Sequence, residues 1–306
     1  MGGIIAAIPG ATAQGLVWGV MALGVYVTYK LLDIADLTVD SSLCTGAAVN
    51  AVLLLAGVHP IAALAAATVV GMAAGLLTGL LHTQLGIPAI LSGILSQLAL
   101  YSINMRILGR SNLPLLKVET LLTLRSPATA IIVGGIFALA MVAFLTWFFT
   151  TERGYAIRAT GSNGGMARAQ GINTAATTVL ALMISNGLVG LAGGLLSQYQ
   201  GYADVNMGRG AIVIGLASVI LGEAIPFLRS RFSLRLIASV VGGVIYYLVI
   251  TLVLQAGLDT NDLKLFSAAV VALALGIPNL RQKAAAKRLA KSALRVGQDG
   301  QRKETV

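Results

Sequence analysis

The run "LLDIADLTVDSS" gathers the groups in this sequence most able to do chemistry. Asp33, Asp36 and Asp40 recur at spacings of three and four, which puts the three carboxylates on one face if the segment is helical. They lie between a long apolar run and a short one. If those runs enter a bilayer, the acids sit near membrane depth, where carboxylates usually face a water-filled cavity or a partner. Thr38, Ser41 and Ser42 can re-satisfy backbone groups where a helix breaks. A broken helix with polar groups near the midplane is a recurrent way to build a transport site. The residues leave a second reading open, in which the acids simply occupy the interfacial headgroup zone.

Bond chemistry finds little support elsewhere. His59 and His82 each stand at the end of an apolar run, outside any close ligand spacing such as H-E-x-x-H. No G-x-S-x-G elbow is present. "GSNGG" (161–165) suggests a phosphate loop, because glycine-rich turns expose backbone N–H groups to anions. It lacks G-x-x-x-x-G-K-[ST], and no strand pattern precedes it. The single cysteine, Cys44, excludes an intrachain disulfide and any multi-cysteine metal site. We expect no catalysis, cofactor or metal in this chain.

The elements that must position these residues are membrane helices. Of 306 residues, 57% are hydrophobic and 10% charged, against about a quarter charged in soluble domains. The mean hydropathy is +0.87. A span needs roughly 20 apolar residues, and candidates run over 12–32, 59–81, 87–104, 127–150, 175–199, 209–228, 235–257 and 263–280. The piece 42–57 is short, a half-span or re-entrant helix. The fold expected is an all-α polytopic bundle of eight or nine spans over residues 1–280, followed by a basic tail, 281–306. No basic region precedes the first apolar run, so that run is expected to stay in the mature protein rather than act as a cleaved signal.

The net charge is +10, and eight of the 21 Lys and Arg lie in the tail. Most of the rest occupy short loops, which suits membrane orientation and anionic lipid rather than nucleic acid. The loops 151–174 and 229–235 and the tail form the basic side and are expected to be cytoplasmic. Nine crossings then put the N-terminus outside. They also put the loop 105–126 outside, with Arg106, Arg110, Lys117 and Arg125, against the positive-inside trend.

Gly71, Gly75 and Gly79 share one helix face, as do Gly190 and Gly194 with Gly187 nearby. Small residues at this spacing let helices approach closely in lipid. Asn50, Gln97, Asn104, Asn186 and Gln198 fall inside spans. Each is either an interhelical hydrogen bond or, with Asp33, Asp36, Thr38 and Asp40, a candidate for lining a path.

The segment 151–174 repeats Arg-Ala ten residues apart around "TGSNGG". Alanine and arginine favour helix, and glycine or asparagine can end or start one. Two helical stubs joined by a tight turn are expected, offering small side chains and cations to another protein.

"ERGYAIRATGSNGGMARAQGIN" closely resembles the coupling segment of bacterial ABC-importer permeases of the branched-chain amino acid and sugar class. Arg158, Ala159, Gly161, Asn163, Ala167, Gly171 and Ile172 match that segment's pattern, with Met166 where alanine is common. "LDIADLTVDSS" resembles the class's membrane motif. "LTGLLHTQLGIPAILSGIL", "LYSINMRILGRSNLPLL" and "LGEAIPF" resemble a single-permease subgroup of the tryptophan/tyrosine type. The chain departs from that subgroup at Ser41-Ser42-Leu43, where Gly-Ser-Phe is usual.

The resemblance implies a permease subunit in a bacterial cell membrane, paired with a second copy, moving an amino acid without enzymatic activity of its own. It implies a separate ATPase subunit pair that binds ATP and Mg and grips the handle, and an extracytoplasmic binding lipoprotein. The docking residues implied are Glu152, Arg153, Gly154, Arg158, Ala159, Gly161, Asn163, Ala167, Arg168, Gly171 and Ile172. Nucleosides or sugars are the alternative cargo. From a different class, an ion-coupled secondary transporter would use Asp33, Asp36 or Asp40.

Overall fold

The structure is a computed structural model that describes residues 2–116, 118–124, 126–256, 265–269, 272 and 276. The expected tail 281–306, most of the expected span 263–280, and Lys117 and Arg125 lie outside the described residues.

The described chain is an all-α membrane bundle. Its helices are α1 (Gly2–Tyr26), α2 (Val39–Leu55), α3 (Pro60–Thr83), α4 (Ala89–Leu108), α5 (Pro127–Phe148), α6 (Glu152–Ser162), α7 (Gly164–Ala169), α8 (Thr174–Gln200), α9 (Ala211–Glu223) and α10 (Phe232–Gln255). Two three-residue strands, β1 (Asn112–Pro114) and β2 (Tyr202–Asp204), pair antiparallel.

Five described stretches are long and apolar enough to cross a membrane: Ala6–Leu31, Pro60–Thr83, Pro127–Phe148, Thr174–Gln200 and Phe232–Gln255. Two expected spans read differently. α4 has 20 residues, but Ser92, Ser96, Gln97, Ser102 and Asn104 dilute its hydropathy. The expected span 209–228 reduces to the 13 residues of α9, which begins after Gly210 in a left-handed conformation at φ 86°. It ends at Ala224, where extended Ile225 precedes Pro226 and a 3-10 turn. The short piece expected at 42–57 is the 17-residue α2.

α8 is the hub. It is buried without interruption from Ile184 to Tyr199 and packs on α1, α2 and α3. Lipid is as apolar as leucine, so close backbone fit must supply the association. A Cβ added at Gly71 or Gly75 would run into the carbonyls of Asn186 or Leu182, and one at Gly190 into that of Ala67. The two glycine stripes are thus the α3–α8 contact. Gly46 lies against the Gly190 backbone and Gly193 against the Leu43 carbonyl, closing α2 onto the same helix. By contrast α5 leaves Ile132, Ile136 and Leu139 exposed, an apolar stripe at helical spacing.

The bundle has two distinct ends. At one, Leu31 and Leu32 meet Gly161, and Lys30 Nζ pairs with Glu223 Oε2 at 2.8 Å. At the other, β1 pairs with β2, and the Tyr199 hydroxyl donates to the Gly10 carbonyl at 3.1 Å.

Candidate functional site

The three acids do not share a helical face, because the helix breaks between them. α1 runs into a π-helical turn, Val27–Leu31, and regular structure stops until α2 begins at Val39. Asp33 sits at φ 58°, the left-handed region that an L-residue adopts at a cost. It lines a cleft of about 830 Å³ at the 151–174 end, with Lys30, Tyr155, Arg158 and Arg235.

Asp36 turns inward and is 2% exposed. Its carboxylate accepts the Thr38 N–H at 2.9 Å and Asn186 Nδ2 at 2.6 Å. Asp40 takes a third direction. Its two oxygens accept the N–H groups of Gly210 (2.9 Å) and Ile212 (3.0 Å), capping α9 where a helix N-terminus favours an anion.

The path candidates divide in the same way. Thr38, Asn50, Asn104, Asn186 and Gln198 are all buried, and their partners form a polar seam through the helices. Ser42 Oγ donates to Asn186 Oδ1 at 2.6 Å. The Thr38 and Thr78 hydroxyls lie 2.7 Å apart, with Ser96 Oγ 2.8 Å beyond. Asn50 Nδ2 donates to Ser197 Oγ at 2.9 Å, and Asn50 Oδ1 accepts Gln198 Nε2 at 3.1 Å. Gln198 Oε1 in turn accepts the Leu121 N–H at 3.0 Å. Asn104 Nδ2 donates to the Ser41 carbonyl at 3.4 Å, while its Oδ1 is buried without a partner among the described residues. The groups of the seam that are paired fix helix register.

Gln97 is different. It is half-buried and lines a cavity of about 440 Å³ with Asp40, Tyr101 and Arg209. No motif in the sequence singles out Tyr101 or Arg209. A lone cation opening an apolar run was the signal available for Arg209.

The 151–174 handle is two helices, α6 and α7, each with a side-chain cap. Thr151 Oγ1 accepts the Gly154 N–H at 3.4 Å, Asn163 Oδ1 accepts that of Met166 at 2.9 Å, and Asn173 Oδ1 accepts that of Ala176 at 3.1 Å where α8 begins. Gly171 turns the chain between α7 and α8 at φ 80°, and the Ile172 N–H closes on the Ala167 carbonyl at 3.0 Å.

The handle is held to the bundle at several points. Ile157 and Ala167 are buried. A Cβ at Gly161 would collide with the Leu31 carbonyl, and one at Gly154 with Phe148 and Phe149. The close approach expected of these glycines toward another protein is, at Gly154 and Gly161, an approach to the chain's own backbone. The Arg158 guanidinium lies 5.2 Å from the Phe232 ring centroid and 5.7 Å from that of Tyr155. Ala159 is half-buried, while Glu152, Arg153 and Arg168 remain exposed.

The break that follows Leu31 thus lies beside a handle of two capped stubs. The family described as "Branched-chain amino acid transport system / permease component" matches residues 8–277. The chain belongs to this permease family. It is a multi-pass membrane permease of the ABC transporter type and not an enzyme. The permease is 40% identical over 280 residues to the "Tyrosine transport system permease protein" of Clostridioides difficile (strain R20291), covering 92% of each chain. It is 32% identical over 272 residues to an uncharacterised protein of Rickettsia prowazekii (strain Madrid E), covering 87% of this chain and 95% of that one. To the "Inner membrane ABC transporter permease protein YjfF" of Escherichia coli (strain K12) it is 29% identical over 211 residues, 67% and 63% of the two chains. No solved structure matches it.

Proposed function

We propose that this permease forms, as a homodimer in a bacterial inner membrane, the translocation path of an ABC importer for an aromatic or branched-chain amino acid. The observation that carries the reading is the handle, whose folding residues are engaged inward while Glu152, Arg153 and Arg168 face outward. A separate ATPase subunit, holding ATP and Mg, grips this surface. An extracytoplasmic binding lipoprotein delivers the cargo at the opposite end. Each nucleotide state must bind the two permease conformations differently for coupling to exist.

The handle end faces the cytoplasm in this reading. Counting the short α2 and α9, the polar α4 and the 263–280 segment gives nine crossings, or eight if α2 is only a half-span. Nine put the N-terminus outside and the basic tail inside against anionic lipid. An amino acid as cargo is supported by the tyrosine-named relative, which aligns over nearly the whole chain.

The test is reconstitution of the permease with and without its ATPase and binding protein, following uptake of L-tyrosine and L-leucine. ATP-dependent uptake only by the full assembly is expected. Uptake by the permease alone that collapses with the ion gradient would establish the secondary-transporter reading instead. In the full assembly, Arg168→Glu should abolish uptake while leaving the purified permease folded.

A further inference from the structure

We propose that the cavity between α2, α4 and the 205–210 link is a subsite for a zwitterionic α-amino acid. Arg209 takes the carboxylate, and Asp40 with Gln97 faces the ammonium. This deepens the amino-acid permease reading and rests on it for the choice of cargo.

The cavity, about 440 Å³, falls within the usual range for a small-molecule site. What distinguishes it from the polar seam is the state of its polar groups. Among the described residues, the side chains of Gln97, Tyr101 and Arg209 make no hydrogen bond or ion pair. Their neighbours on the same wall are committed. Ser41 Oγ donates to the Gln97 carbonyl at 3.0 Å, and Cys44 Sγ donates to the Val205 carbonyl at 3.3 Å. Three unengaged polar side chains of different chemistry therefore line one space, Gln97 half-buried and Tyr101 and Arg209 exposed. A cation on a membrane-embedded chain is costly unless it meets water, a partner or a ligand.

The charges define the ligand. Asp40 and Arg209 line one cavity yet stand more than the 4.0 Å of an ion pair apart. Both Asp40 oxygens accept backbone N–H groups, with that of Ala211 also close, and the carboxylate's roughly four acceptor sites leave room for a further donor. The space is thus dipolar and close to neutral overall. A lone cation would meet Arg209, and a lone anion would meet Asp40. A sugar needs a wall dense in free hydroxyls and amides, whereas Ser41 and Cys44 are already taken. A zwitterion satisfies both charges at once, and its side chain lies against Ile94, Leu98 and Tyr101.

The test uses the purified full chain in lipid nanodiscs with Leu98→Cys as a reporter, labelled by a water-soluble methanethiosulfonate. Leu98 is exposed at the cavity, and the parent chain, whose Cys44 is buried, gives the background rate. L-Tyrosine or L-leucine should slow labelling severalfold. Tyramine, which lacks the carboxylate, should not. Arg209→Gln should raise the half-protecting concentration about tenfold, the loss of one charged hydrogen bond, and Arg209→Lys should restore part of it.

Failure of the reporter to label, no protection by either amino acid at about 10 mM, or equal protection by tyramine would overturn the subsite. Protection that Arg209→Gln leaves unchanged would overturn the role of Arg209. Uptake that fails in the reconstituted assembly while protection persists would sink the transport reading and leave the subsite standing.

Discussion

Asn163 and Asn186 carry the same side chain into opposite surroundings. In the handle, Asn163 is exposed and caps its own helix through one local bond to Met166. In the seam, Asn186 is fully buried and joins three segments of chain, donating to Asp36 and Leu182 and accepting from Ser42. The handle is local structure laid on the bundle through a few contacts. The seam is non-local structure that would leave unpaired polar groups in the helix interior if any member were lost. The first should tolerate change in stability while losing function, and the second should do the reverse.

The largest effect should come at the α2–α8 contact. In Gly193→Val the new side chain would meet the Leu43 carbonyl, and overpacking against backbone with no room to move costs about 3 kcal/mol or more. Loss of the monodisperse peak in detergent gel filtration is the expected result. A normally folded variant would mean that the helices slide freely past one another.

Asp36→Ala should come next. It strips the Thr38 N–H and Asn186 Nδ2 of an acceptor in a buried place, a loss of about 2 kcal/mol readable as a lower melting midpoint. Asp36→Asn, which keeps the shape, should recover part of the midpoint.

Arg158→Ala removes the contact with the Phe232 ring and should cost about 0.5–1 kcal/mol. Faster protease cleavage within 151–174 is the more sensitive readout. Smallest in stability is Arg168→Glu, within about 0.5 kcal/mol of the parent, although the coupling reading makes it the most damaging to ATP-driven uptake. Equal melting midpoints for Asp36→Ala and Arg168→Glu would dissolve the contrast between the two regions.

Gly161 marks where the contrast has a boundary. Gly161→Leu would push the handle off the Leu31 carbonyl, so its failure to transport would report a displaced handle rather than a lost partner contact. Exposed Arg168 separates the two causes.

Much of this protein could be read from local pattern. Apolar runs of the right length marked the long helices, since the bilayer sets span length regardless of neighbours. Four-residue glycine spacing marked the α3–α8 contact. The division of the handle into two stubs followed from Asn163, which ends α6 and caps α7 within a single turn. The shortness of α9 was obscured because Ala224 and Ile225 continue the apolar run, while the helix itself yields to backbone geometry at Gly210 and Pro226.

What composition and spacing determined was membrane class, helix faces and the presence of a handle, because each depends on neighbours within a few residues. Only the tertiary structure decided where Asp33, Asp36 and Asp40 go. Their partners are Asn186 of α8 and the start of α9, about 150 and 170 residues away in sequence, beyond the reach of any periodicity. It likewise decided that Gly161 serves the chain's own fold, and that Arg209 and Asp40 line one cavity. Distances between remote segments are set by packing, and packing is the one thing that spacing along a chain does not encode.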